Sequence, residues 1–575
     1  MGVGIAQVRD EVDEDRLGRL IAELDAGAER WAVTALEDRA RLLRRTHESV
    51  SRAAADWVRT AARVKGLPAD SPLVGEEWLA GPYAALTSLA RLASTLDTLA
   101  EGHSPLRGLT FHAAPGGRRA VDVLPLDATE ALLLHGFRAE VWFPPGTTDQ
   151  RAMITAGLGA LRVGESGGVG LVLGAGNITA IPPLDVLSGL VAGNRSAILK
   201  LNPVLADMAA PFEAAFAPLI DAGLLRIVQG GAEVGGFLAH APGVRHVHIT
   251  GSIVSHDALV WGTGEEAASR KRAGTPLLDK PVTSELGGAS PIIVVPGEWT
   301  AAELAFQAEH VATMRLHNGG YNCIAGQVLL LSPDWPQREA FLEQLRLALG
   351  AAPQRPAWYP GSADRSAAAF AAYPEAERLG PGGGRLLIDV GGEDAGALGA
   401  TEWFAPVLGV VDVPGSGQAF LDEAVRIAND DLIGTLGANV LIRPDVRRAL
   451  GAGFGRAIAA LRYGTIAINA WTGLGFLLAA TPWGAFPGGT IEQAGSGVGV
   501  VHNALLIDGA ERAVVHGPFR PFPASVLAGE PALSPRPPWF VTSRTAAATG
   551  RLLTGFAGGR APWLLPAALA AAFRG

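Results

Sequence analysis

The chain has a single cysteine, Cys323, in 575 residues. That excludes an intramolecular disulfide and a cysteine-rich metal cluster, and a reducing cytoplasm suits such a chain. An excess of positive charge is also missing. With 47 Lys and Arg against 56 Asp and Glu, the net charge of −9 is opposite in sign to what phosphate-backbone binding needs, so nucleic acid is not an expected partner. No run of 18 or more uncharged apolar residues is present, so no membrane span is expected. Arg9, Asp10, Glu11 and Asp13 stand where a secretory signal would carry its apolar core. A soluble, cytoplasmic protein is the expectation. Charged residues are scarce at 18%, whereas 48% are hydrophobic, enough to fill large cores and to argue against disorder. At the usual 100 to 200 residues per domain, the length implies roughly three to five domains or subdomains.

Leu17, Leu20, Ile21, Leu24 and Trp31 recur at helical spacing among acidic and basic residues, and predict amphipathic scaffold helices from 14 to about 65. From residue 120 the pattern changes to short apolar runs divided by glycine or proline: AVDVLPL, AEVWFPPG, GVGLVLGAGN, SAILKLNP, VRHVHITGS and ASPIIVVPG. These read as buried strands, with helices between them at Pro183 to Val191 and Asp207 to Ile220. Strands alternating with helices predict a doubly wound, mainly parallel α/β sheet, and a second α/β series after about 285 predicts another domain of the same class.

Four segments carry chemistry. Gly174 and Gly176 follow an apolar strand, but Thr179 replaces the third glycine of a dinucleotide fingerprint and no acidic residue follows at the usual distance. Thr250-Gly251-Ser252 ends a strand and would open a helix whose free N–H groups suit a phosphate, although most such turns are only turns. Glu285 precedes a Gly-Gly pair and a strand, as an exposed turn residue or as a base at a strand edge. Cys323 lies in the loop HNGGYNCIAGQ; taken alone, a lone cysteine is more often a small buried hydrophobe.

Taken together, these segments resemble the aldehyde dehydrogenase superfamily. The ordered match runs over about 165 to 500: Asn177, Lys200 in AILK, Thr250-Gly251-Ser252, Glu285 in ELGG, Cys323 in N-x-G-x-x-C-x-A, Glu402, Phe404 and Pro406 in EWFAPV, Ala428-Asn429, and Gly464 to Asn469. The resemblance implies an α/β fold with a Rossmann-type cofactor domain, an α/β catalytic domain and a small oligomerisation element. The expected division is N-terminal helices and dinucleotide-binding domain in 1–284, catalytic domain in 285–475, and return segment with C-terminal tail in 476–575.

The implied reaction oxidises an aldehyde to a carboxylic acid with NAD or NADP. Cys323 attacks the carbonyl, Asn177 and the Cys323 N–H hold the oxyanion, and Glu285 activates the water that hydrolyses the thioester. For the cofactor, the resemblance assigns Lys200 to the adenine ribose, Gly251 and Ser252 to the pyrophosphate turn, Glu402 to the nicotinamide ribose and Phe404 to the ring. A homodimer or homotetramer acting on a small-molecule aldehyde is implied. Pro203 replaces a glutamate that would meet the adenine-ribose hydroxyls, so NADP is not strongly excluded. His256 replaces a glycine of the phosphate turn, and Tyr321 the glutamine before the nucleophile.

Two alternatives remain open: an acylating or thioester-reducing relative using coenzyme A or a carrier thiol, against which Glu285 speaks, and a non-catalytic family member. No metal is expected, since His246 and His248 share a strand face without a third ligand nearby. His310 and His317 are expected to pack or cap. The stretch 261–283, with Arg270, Lys271 and Arg272, reads as a solvated loop or a contact to a charged ligand. The apolar run between Arg560 and Arg574 is too short to span a bilayer. Its expected fates are packing on the body or on another subunit, covering the substrate entrance, or weak association with a membrane surface.

Overall fold

Short runs rich in Val, Ile and Leu form two sheets in the computed structural model, which describes residues 12–392, 395–534, 536–559 and 561–575. Arg9, Asp10, Glu11 and Arg560, named above, lie outside them. The smaller sheet has six strands in the order Gly497–Val498, Val282–Leu286, Val244–Gly251, Val169–Leu173, Ser196–Lys200 and Leu225–Val228. All but the first pair in parallel. Strand order reverses beside Val169–Leu173, which creates a crevice outside the carboxyl ends of the strands, where such sheets bind ligands.

The helix Ile181–Gly193 starts with Pro182 and Pro183 in its first turn and stops at Asn194, whose φ of 50° is left-handed. Asn194 offsets that conformation by donating to the carbonyls of Gly159, Arg162 and Glu165 and accepting from Arg39. Helices Glu14–Val33 and Leu36–Val64 realise the predicted amphipathic segments; Leu17, Ile21 and Leu24 pack with Val169, Leu171 and Ile198 of the smaller sheet.

The larger sheet has eleven strands, with antiparallel strands on both flanks of a parallel centre that runs from Arg512–His516 through Pro291–Val294 to Arg385–Asp389. The expected boundary at 284 is crossed. Phe111–Ala114, Arg118–Leu124 and Arg138–Phe143 join the larger sheet, because Val121, Val141 and Phe143 bury with Leu329 and Val515 in its core. The stretch 261–283, expected as a loop, contains the helix Gly264–Ala273, which has no buried residue; its Lys271 pairs with Asp257 at 2.7 Å. The C-terminal helices Ala546–Ala557 and Leu564–Ala572 dock on the chain's own body. A Cβ at Gly75 would lie 2.4 Å from the Ala546 carbonyl carbon, so the approach requires glycine. Among the described residues, no helix is long and apolar enough to cross a membrane.

A buried ionic cluster ties the N-terminal helices to the loop that carries Cys323. Lys65 Nζ lies 2.9 Å from Glu77 and donates to Asn318 Oδ1 at 3.0 Å. Glu76 accepts the Asn318 N–H at 2.9 Å and pairs with Arg355. Removing one partner strands the other charge in a dry site. Lys65→Met should therefore cost about 3 to 5 kcal/mol in chemical denaturation; a loss below about 1 kcal/mol would show that the cluster is not a structural tie.

Candidate active site

The helix Ala301–Leu316 begins with a capping box between Thr300 and Glu303. After it, Asn318, Gly319 and Gly320 all have positive φ, of 54°, 73° and 82°. Two glycines and an asparagine are the residues that adopt such a turn at least cost. Asn318 Nδ2 donates to the carbonyls of Asn177 and Tyr321, both at 3.1 Å, and Asn177 Nδ2 donates to the Tyr321 carbonyl at 2.8 Å. The loop after strand Val169–Leu173 is thereby stitched to the cysteine loop. Trp57 holds it from the other side, donating to Thr179 Oγ1 at 2.8 Å.

All eight residues singled out in the sequence line one open cleft: Asn177, Lys200, Gly251, Ser252, Glu285, Cys323, Glu402 and Phe404. Lys200 ends its strand, Ser252 caps the helix Ile253–Trp261, and Glu285 sits on Val282–Leu286. Cys323 Sγ donates to Glu285 Oε1 at 3.1 Å. Burial first, and then the facing charge of Glu285, push the thiol well above its usual range. Burial also raises Glu285, whose Oε2 has no hydrogen-bond partner among the described residues. Glu402 is pushed up to about 7 by burial, against the pull of Arg315 and Arg365. A Cβ at Gly287 would lie 1.8 Å from Glu402 Oε1, which explains a glycine after Glu285-Leu286.

The cleft fits a dinucleotide. Added Cβ atoms at Gly236 and Gly251 would meet nothing closer than 3.9 Å, so bare backbone faces open space there. Asn202 and Arg365 also line the cleft, and neither is visible as a site residue in the sequence. On the other side of Cys323 and Asn177 lies a narrow apolar cavity, lined by Trp471, Leu474, Leu477, Trp483 and Trp539 among others.

Behind Glu285, the fully buried Asp185 lies 3.0 Å from His502 Nε2 and accepts from Thr250 Oγ1 at 3.1 Å. Burial opposes its ionisation, but His248 and His502 hold it below the ordinary carboxylate range. His246 and His248 do share a strand face, yet their hydrogen-bond partners are Thr283 and Thr250. His310 stacks on Phe540 and His317 packs on Trp471. Tyr321 hydrogen-bonds Ser362 at 2.6 Å, and His256 is buried against Asp257.

Residues 165–354 match the aldehyde dehydrogenase family. Betaine aldehyde dehydrogenase 2 of Rhizobium meliloti is 29% identical over 54% of this chain and 58% of its own length. Human 4-trimethylaminobutyraldehyde dehydrogenase is 35% identical over 24% of this chain and 29% of its own. The chain thus spans less than two thirds of these curated relatives. A putative aldehyde dehydrogenase from Burkholderia cenocepacia shares the fold, with a TM-score of 0.57 at 21% identity over 87% of this chain and 91% of that one. An aldehyde dehydrogenase of Mycobacterium tuberculosis in complex with NAD+ gives 0.58 at 17%, over 86% and 88%.

The contact between thiol and carboxylate makes a specific demand. Alkylation of Cys323 by iodoacetamide in the ligand-free protein should still be rising above pH 9.0, and Glu285→Gln should move the rise to lower pH by removing the facing charge. Superimposable profiles for the two proteins would contradict the coupling.

Proposed function

We propose that the chain is a member of the aldehyde dehydrogenase superfamily and that it oxidises an aldehyde to a carboxylic acid with NAD+ or NADP+. The observation that carries this reading is the 3.1 Å contact of Cys323 Sγ with Glu285, at the junction of a glycine-lined cleft and an apolar cavity.

The thiol proton passes to Glu285, and the sulfur forms a bond to the carbonyl carbon. Asn177 Nδ2 and the Cys323 N–H hold the resulting oxyanion. A nicotinamide bound in the cleft would supply the hydride acceptor for that carbon, and Cys323 would then hold the acyl group as a thioester. Glu285 releases that proton to solvent through the cleft and then takes one from the water that hydrolyses the thioester; burial raises its pKa and so strengthens it as a base. Lys200 is assigned to the adenine ribose, Gly251, Ser252 and the following helix N-terminus to the pyrophosphate, and Glu402 with Phe404 to the nicotinamide ribose and ring. A homo-oligomer in the cytoplasm belongs to the same reading. Glu285 disfavours a thiol as final acceptor, and the assembled cysteine, glutamate and asparagine disfavour a non-catalytic role.

Cys323→Ala should abolish NAD(P)H formation over an aldehyde panel while nucleotide still binds, and Glu285→Gln should slow the NAD(P)H burst, for want of the thiol's proton acceptor, and then stall as a thioester detectable by mass spectrometry. Full turnover by Cys323→Ala would overturn the assignment. With Pro203 in place of the carboxylate that the resemblance calls for, kcat/KM for NAD should exceed that for NADP by less than roughly a thousandfold, about 4 kcal/mol. Because the Glu402 carboxylate would accept from ribose hydroxyls, nucleotide affinity should weaken as pH falls through about 7. Glu402→Gln should remove that step in a calorimetric titration.

A further inference from the structure

The apolar cavity beside Cys323 meets a second, narrow chamber at Leu79, Leu477 and Trp539, which line both. The outer wall of that chamber is the C-terminal segment, including Leu553, Leu569 and Phe573. We propose that the two chambers together hold the hydrocarbon chain of a long apolar aldehyde, with its carbonyl at Cys323 and its tail running toward the C-terminal helices. This rests on the aldehyde-oxidising reading of Cys323.

Chemistry of the walls selects the tail. No Asp, Glu, Lys or Arg is among the described residues lining the inner cavity. A charged substrate would be stripped of water there without an ionic partner. In the outer chamber Arg520 is already matched, lying 2.8 Å from Glu303 and pairing with Glu530. The outer chamber reaches the surface at Phe573, which is 42% exposed and packs edge-on to Phe522 at 6.4 Å. The C-terminal run thus both docks on the body and closes over the apolar path, joining two of the fates its sequence allowed.

Turnover of propanal, octanal and hexadecanal tests the proposal. Each buried methylene should raise kcat/KM, by up to about fourfold, until the chambers are filled. Ala572→Trp, which narrows the outer chamber, should cut the hexadecanal-to-propanal ratio at least about tenfold. A second readout is tryptophan fluorescence of Cys323→Ala, which should report tighter binding of hexadecanamide than of propanamide. Specificity that is flat across the alkanals, or higher for a trimethylammonium aldehyde held by the tryptophans, would overturn the proposal and leave aldehyde oxidation standing. Chain-length-dependent amide binding without turnover of any aldehyde would overturn the oxidation instead.

Discussion

A partly buried thiol and a buried carboxylate share one hydrogen bond, and much of the surrounding structure serves to hold them there. Left to solvent, both groups would find water and drift apart. The contact persists because Cys323 follows a turn of positive φ and because Asn318 fastens that turn to Asn177, Glu76 and Lys65. Lys65 and Glu76 from the N-terminal part of the chain, joined by Arg355, brace the loop, so the Cys323 sulfur is positioned by residues that do not line the cleft.

The same burial sets the electrostatics. Glu285 and Glu402 are both raised by burial, whereas Asp185, equally buried, stays ionised because two histidines face it. Three carboxylates in one region thus differ in proton affinity through their neighbours alone. Gly287 leaves the backbone open beside one of them, the Glu402 carboxylate in its present rotamer.

The site is legible in the sequence where its residues lie in short contiguous motifs, each carried by one strand end or one loop. All eight such residues reach the same cleft. Asp185, His502, Arg365 and the tryptophans at 471, 483 and 539 are not legible, because each comes from a separate segment and acquires a role only when the chain folds. Composition reveals the strand runs but not the sheet they join: Arg138–Phe143 pairs with Arg512–His516, and no local pattern encodes a partner so distant. The helix within 261–283 leaves little periodic trace because its only apolar side chains are alanines and none of its residues is buried.

That distant pairing has a consequence for synthesis. Arg138–Phe143 leaves the ribosome ~370 residues before Arg512–His516 and, at 5 to 20 residues per second, waits roughly 20 to 70 s for it. Through that interval a strand with a buried Val141 and Phe143 has an open edge, the kind of surface that pairs with other chains. Assembly of this protein in the cell therefore depends on keeping one early strand covered until nearly the whole chain has emerged.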